Sequence, residues 1–478
     1  MIDQLRVLAV AVVPPLVLGA GVLRAIGFDL ALGRRAFAAY AYLIGQLVLA
    51  PFTLLWLATG KVVPGLSLPV AAIVIGAVAW LRHRKARERE RARPVDWPMA
   101  ITAMLCCAWL IDGFLAVNMA PITNGDEGLI WNAKARVLGY APDFGIAMGL
   151  SYHVGHAAYP LLNPLVQVLA DIGHSGMQAY ESRIPIQGFA IALILLLSAA
   201  LSRLPRLLGI GLCVAFLGCG VFVGHAPWAC ADVLEGLALL GAAIAYLRFE
   251  ESGQVKFWRL MCLSLAAVVA AKNEGLMLVL VFALAHCLRV LAGRLRRPAT
   301  TAPSHTPGGR RGLNWLWLAV PLAALAGGQW FNSHYGLVTD LVDPAKGNGM
   351  GLVERSLRNL PERGATVVGH YARSLASSDS RWLVLMALVV GTVHVVRWPR
   401  HAMATVQLTL VGALLGYVLV FVGTPNPLLW HLETAVDRTL LQITPIAVLV
   451  LGYAAAGMRP HERHDSIEGR GGVVAGER

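Results

Sequence analysis

Two adjacent carboxylates, Asp126 and Glu127, stand in the run Asn124-Gly125-Asp126-Glu127-Gly128, just beyond a long apolar stretch. Activating an acceptor hydroxyl needs a carboxylate within hydrogen-bond reach of it, and this pair offers two. A plainer role competes: Asn124 or Asp126 at a helix start caps free N–H groups and complements the helix dipole. Lys134 can lie on the same helical edge as Glu127. A cation there neutralises a phosphate or pairs with the acid along the helix. A second cluster, Lys272-Asn273-Glu274, interrupts an otherwise apolar stretch. Ionisable groups at membrane depth are costly and by default functional; a Lys–Glu salt bridge that holds a turn is the structural alternative. A third cluster is Trp430-His431-Leu432-Glu433 with Asp437-Arg438, at the mouth of the last apolar run. Arg438 suits a phosphate or diphosphate through paired hydrogen bonds, or anchors the chain at the headgroups. Asp232 and Glu235 open a further apolar run, as cavity lining or as N-terminal helix charges. His153 and His156 have H-x-x-H spacing without evident carboxylate ligands nearby. No convincing glycine-rich phosphate loop, Walker lysine or nucleophile elbow occurs.

The elements that must position these residues are membrane helices. The 478 residues are 57% hydrophobic and only 14% charged, with a mean hydropathy of +0.63. No soluble domain of this size is so apolar, so the chain is a polytopic membrane protein. The net charge of +13 comes from basic clusters between apolar runs. That is the positive-inside pattern, with attraction to anionic membrane lipid as a secondary effect, and it argues against nucleic acid as a partner. The seven cysteines mostly lie inside apolar runs, where they act as small hydrophobes rather than as a disulfide or metal framework. The N-terminus lacks a basic leader region and a clear cleavage site, so a removed signal peptide is not expected.

Apolar runs near spanning length fall at 7–25, 36–59, 64–81, 97–117, 184–201, 207–223, 231–248, 257–271, 275–291, 314–330, 382–397, 404–422 and 439–457. The expected fold is therefore an all-α polytopic membrane protein with about 13 transmembrane helices. Its parts are a three-helix membrane module over 1–81, a basic cytoplasmic linker over 82–96, a main transmembrane unit over 97–457 and a disordered cytoplasmic tail over 458–478. With the basic clusters inside, the N-terminus lies outside and the C-terminus inside. Keeping Arg289 to Arg311 inside requires 257–291 to be two helices with Lys272-Asn273-Glu274-Gly275 as their outer turn. Each arm then has about 15–16 residues, or roughly 23 Å. That falls short of the roughly 30 Å hydrocarbon core, so the turn should sit below the outer surface. Three segments face outward: 118–183, 331–381 and Gly423 to Arg438. The first carries an amphipathic helix from Glu127 to Leu138. Leu129, Ile130, Ala133 and Val137 share one arc of it; Glu127, Trp131, Lys134 and Leu138 share another. Such a helix lies along a membrane surface with one polar edge turned to a cavity.

Taken together, Asp126-Glu127, Trp131, Lys134, Tyr159-Pro160-Leu161-Leu162, Pro164, Ala231-Asp232-Val233, Lys272-Asn273-Glu274-Gly275 and Trp430-His431-Leu432 with Asp437-Arg438 resemble a family. Their order and sidedness over 97–457 are similar to those of the GT-C membrane glycosyltransferases. Protein O-mannosyltransferases and lipid A aminoarabinose transferases are familiar members, and the pattern also resembles a less characterised bacterial branch. The resemblance implies a sugar donor on a polyprenyl phosphate, an acceptor entering from the periplasm, and an inner-membrane protein whose site faces the periplasm. It implies Asp126 as catalytic base, with Glu127 supporting it or holding a divalent cation where one is used. Lys134, Lys272 and Arg438 would meet the departing lipid phosphate, and Tyr159, Asp232, Asn273, Glu274, His431 and Asp437 would complete the substrate site. The longer signature motifs that the best-known members carry in later loops are absent.

Two other classes compete. A transporter or lipid flippase would place polar groups at the midplane of two repeated halves, whereas this chain gathers them at the outer ends of its spans. A non-catalytic subunit of the same fold would have no need of Asp126, Lys272 and Arg438 together.

Overall fold

The computed structural model describes residues 2–28, 32–60, 63–83, 96–122, 124–141, 145, 155–172, 179–295, 315–339, 350–377, 379, 381–398 and 401–457. Most of the basic linker, the 298–313 loop, the 458–478 tail and His153 lie outside them. No strand occurs among the described residues. The helices are α1 (Ile2–Val7), α2 (Val13–Ala25), α3 (Arg34–Ala58), α4 (Ser67–Arg82), α5 (Trp97–Asn118), α6 (Ala133–Tyr140), α7 (Leu162–Asp171), α8 (Ala179–Leu201) and α9 (Arg206–Leu217). They continue as α10 (Gly220–His225), α11 (Asp232–Ser252), α12 (Val255–Ala271), α13 (Glu274–Leu295), α14 (Ala319–His334), α15 (Leu352–Leu375), α16 (Trp382–Arg397), α17 (Met403–Val422) and α18 (Leu428–Ala455). Each apolar run read from the sequence is helical over most of its length. Among the described residues, 7 helices are long and apolar enough to cross a membrane, and Ser67–Arg82, Arg206–Leu217 and Trp382–Arg397 are shorter apolar helices.

The core is organised around α11. Its middle, Gly236 to Leu247, is almost wholly apolar and mostly buried against α8, α12 and α18, while its charges are confined to its two ends. Helices α2 and α3 contribute to that core, with Leu23, Tyr40 and Ile44 among its residues. Tyr40 Oη donates to the Gly241 carbonyl at 2.8 Å, and Tyr42 Oη to the Pro185 carbonyl at 2.5 Å. Arg6 pairs with the fully buried Glu181 at 2.9 Å. Helix α2 crosses α3 at Gly19 and Gly45, where a Cβ on either glycine would strike the other helix's backbone. Close helix crossings in lipid need residues this small.

The stretch 257–291 forms two helices, α12 and α13, broken at Lys272 and Asn273. Lys272 is extended, with φ −156 and ψ 160, which stops α12. Gly275 then lies against the Val268 carbonyl with no room for a side chain, so the hairpin closes tightly. The segment after Asn124 begins as a π-helical turn, Glu127–Asn132, and continues as α6. Its charged edge, with Glu127, Trp131, Lys134 and Leu138, is buried in protein, and Leu129 is exposed.

Candidate active site

Adjacent carboxylates at a helix start receive different partners here. Asn124 is the cap: its Oδ1 accepts from the backbone N–H groups of Asp126 at 3.0 Å and Glu127 at 3.1 Å. Asp126 makes no capping bond. Its carboxylate, part-exposed, is ion-paired with Arg438 of α18. The capping alternative therefore falls to Asn124, which leaves the Asp126 side chain to the site.

Glu127 is fully buried. Its Oε1 accepts from Arg183 Nε at 2.7 Å and from the Ala229 N–H at 3.0 Å, and its Oε2 accepts from Arg183 Nη2 at 2.9 Å. Arg183 also donates Nη1 to the carbonyls of Val117 at 2.7 Å and Ala120 at 2.9 Å. A charge with no water around it must be paired and hydrogen-bonded in this way. The pair ties α8 to the end of α5 and to the approach to α11. Glu127 is thus held in a closed ion pair, where the sequence suggests catalysis or metal binding. Sequence reasoning missed Arg183. The available signal was the pair Glu181 and Arg183 opening an apolar helix.

A chain of ion pairs runs from Asp126 into the protein. Arg438 bonds Asp126 through Nη1 and Asp232 Oδ2 through Nε at 3.1 Å. Asp232 opens α11 and is fully buried. Its Oδ1 accepts from Lys272 Nζ at 3.0 Å and from Gln442 Nε2 at 2.8 Å. Lys272 in turn meets Glu274 Oε1 at 3.1 Å. Arg438 and Gln442 are four residues apart on α18, so both reach the same carboxylate from one helical face. Gln442 Oε1 is itself fixed by the Tyr417 hydroxyl at 2.5 Å. Asp126, Arg438, Asp232, Lys272 and Glu274, drawn from four separate segments, form one continuous network.

The remaining residues divide by position. Tyr159 lies under Lys272, with Nζ 5.8 Å from the ring centre, and stacks with Trp131 at 5.3 Å and with His156 at 4.8 Å. Lys134 does not join the carboxylates. Its Nζ donates to the carbonyls of Ala157 at 2.5 Å and Tyr159 at 2.7 Å and so pins the loop that carries Tyr159. Burial lowers the Lys134 pKa to about 7. His431 bonds Thr424 Oγ1 through Nδ1 at 2.7 Å. Asp437 points away from its neighbour Arg438 and pairs with Arg381, which also holds Asp379 at 2.7 Å. Polar capacity is left open beside the network: both oxygens of fully buried Glu235, Oε2 of Glu274 and Nδ2 of Asn273 have no hydrogen-bond partner among the described residues. Among the described residues no three His, Cys, Asp or Glu side chains converge as a metal-ligand set.

No protein-family model, curated protein or solved structure matches this chain. The functional reading therefore rests on the site's own chemistry.

Proposed function

We propose that the chain is an integral membrane glycosyltransferase of GT-C type, with about 13 spans in an inner membrane and its site facing the periplasm. It moves a sugar from a polyprenyl-phosphate donor to a periplasmic acceptor with inversion. One observation carries the reading: Arg438 is shared between a part-exposed carboxylate, Asp126, and a buried one, Asp232.

The sharing gives each group a task. A guanidinium binds phosphate at least as well as carboxylate and does so through paired bonds. When the donor phosphate takes Arg438, Asp126 loses its counter-charge and becomes a better base. It then accepts the proton of the acceptor hydroxyl as the hydroxyl oxygen bonds the anomeric carbon. The carbon–oxygen bond to phosphate breaks, and the electron pair leaves with the lipid phosphate. Arg438 and Lys272 stabilise that developing charge, which is where fixed cations contribute most. Asp232 holds both cations in place, and the open polar groups of Asn273 and Glu274 are available to sugar hydroxyls. Glu127, through Arg183, fixes the helix start from which Asp126 projects.

The test is sugar transfer by the purified protein from membrane-extracted polyprenyl-phosphate sugars, alongside comparison of envelope glycolipids and glycoproteins with and without the gene product. Loss of one sugar on deletion, restored by the wild-type chain and not by Asp126→Asn, is the expected result. Full restoration by a correctly inserted Asp126→Asn variant rejects the assignment.

A further inference from the structure

Helix α15, Leu352–Leu375, takes no part in the carboxylate network, yet it is one of the longest helices of the chain at 24 residues. It is too polar to cross a bilayer. Glu354, Arg355, Arg358, Glu362, Arg363 and Arg373 are spread along it, and ionisable groups are costly in hydrocarbon.

Its polar contacts fix its course. Arg355 Nε donates to the Gly423 carbonyl at 3.1 Å, and Ser356 Oγ to that of Leu419 at 2.8 Å. Asn359 Nδ2 donates to the Val422 carbonyl at 3.3 Å, and Arg363 Nη1 to that of Thr424 at 2.9 Å. Further along, the Tyr371 ring meets Phe421 at 5.9 Å. Positions spread over roughly 24 Å of α15 thus reach one short stretch, 419–424, at the end of α17. The carbonyls there are those that a helix end leaves without partners of its own. Helix α15 therefore crosses the end of α17 instead of running beside it. Since α17 is long and apolar enough to cross a membrane, a helix laid over its end runs along the membrane surface. Tyr371 and Thr439 hydroxyls bond at 2.9 Å, so this is the end of the bundle that carries Arg438.

Around its axis α15 presents three arcs. Ser356, Val367 and Tyr371 are buried against the neighbouring helices. Val353, Leu357, Leu360 and Val368 share a second arc that is apolar and open, at 72%, 65%, 44% and 55% exposure. Arg358, Glu362, Thr366 and Arg373 share a third, polar and exposed. The apolar arc continues a surface that already faces lipid: Leu415 and Leu419 stand exposed on α17, and Ser356, next to Leu357, bonds the Leu419 carbonyl.

We propose that α15 is a membrane-surface helix whose apolar arc is covered by the acyl chains of the adjoining bilayer leaflet. Its buried arc meets protein, its apolar arc meets lipid, and its polar arc stays in water. A helix so placed sinks its apolar face about 5–10 Å into the headgroup and acyl boundary. The exposed charges of α15, Glu354, Arg358, Glu362 and Arg373, balance in sign, so immersion needs no anionic headgroup.

The experiment uses the full-length protein with Cys287→Ser, reconstituted in phosphatidylcholine nanodiscs. Leu357→Cys, Val368→Cys, Glu362→Cys and Thr366→Cys are spin-labelled one at a time, after subtraction of the signal from the parent. Collision with oxygen, which concentrates in lipid, is compared with collision with a water-soluble nickel chelate. Labels at Leu357 and Val368 should favour oxygen, and those at Glu362 and Thr366 should favour nickel. Adding phosphatidylglycerol should leave the pattern unchanged. Nickel preference at Leu357 or Val368 would leave the arc in water and overturn the proposal. Shielding of those two labels from both reagents would overturn it as well, because the cover would then be protein, a second copy of the chain included. Oxygen preference at all four positions, or immersion only with phosphatidylglycerol present, would also reject it.

Discussion

Asp126 and Glu127 are neighbours in sequence and opposites in structure. Glu127 is saturated: both oxygens are bonded, its arginine is dedicated to it, and no solvent reaches it. Asp126 is part-exposed, and its arginine is divided with Asp232. A closed pair in a dry interior fixes geometry, because neither charge can leave without stranding the other. An open pair with a shared cation can exchange partners. Under the proposed function, the contrast separates a carboxylate that holds the site together from one that is free to do chemistry, and four experiments bear on it.

The largest effect expected is on activity. Asp126→Asn should lower sugar transfer by roughly a hundredfold to ten-thousandfold, the range for loss of a general base, with folding intact. If single-turnover transfer by that variant matches the wild type, the open pair is not the chemical one. Glu127→Gln should act mainly on stability. Removing one partner of a buried pair costs about 3–5 kcal/mol, and replacing both partners together costs much less. Glu127→Gln/Arg183→Met should therefore recover much of the melting temperature lost in Glu127→Gln. A double variant no better than the single would show that the closed pair does more than balance charge.

A smaller effect concerns Lys134, which stands between the two regions and belongs to neither. Its folded pKa of about 7 lies below the ordinary 10.5. Between those values the unfolded chain holds a proton that the folded chain has released, so stability should rise as pH increases through that window. Lys134→Met should flatten the rise, as followed by melting temperature from pH 7 to pH 10; an unchanged slope would mean another group sets it. The smallest effect is at the cap. Asn124→Ala should cost about 1 kcal/mol and loosen the start of the π-helical turn, with a modest loss of transfer. A loss as large as that of Asp126→Asn would move the functional weight from the carboxylate to its cap.

Much of the fold was legible because lipid imposes a simple code. Long apolar runs become helices, and the cation pattern alone split 257–291 at Lys272, where the chain does break. The association of Asp126, Lys272 and Arg438 was also legible, since each belongs to a small charged cluster at the end of an apolar run. Pairing was not. Nothing in the order Asp126-Glu127 tells which carboxylate meets Arg438 and which meets Arg183, because that depends on how far the π-helical turn rotates each side chain. Lys134 was read as a cation for a phosphate or for the acid along its helix, but its amine instead serves two backbone carbonyls. Asp437 and Arg438 likewise read as one motif, although adjacent helical positions point in divergent directions.

Helix α18 carries Arg438 and Gln442 towards one end and Tyr453 near the other, with Pro445 between them. The proline has no N–H to offer the Leu441 carbonyl, so the helix loses one of its struts at that point. Mechanically, α18 is a lever with its most compliant section about one turn beyond the residues that grip Asp232. Bending of α18 is therefore easiest just beyond its grip on Asp232.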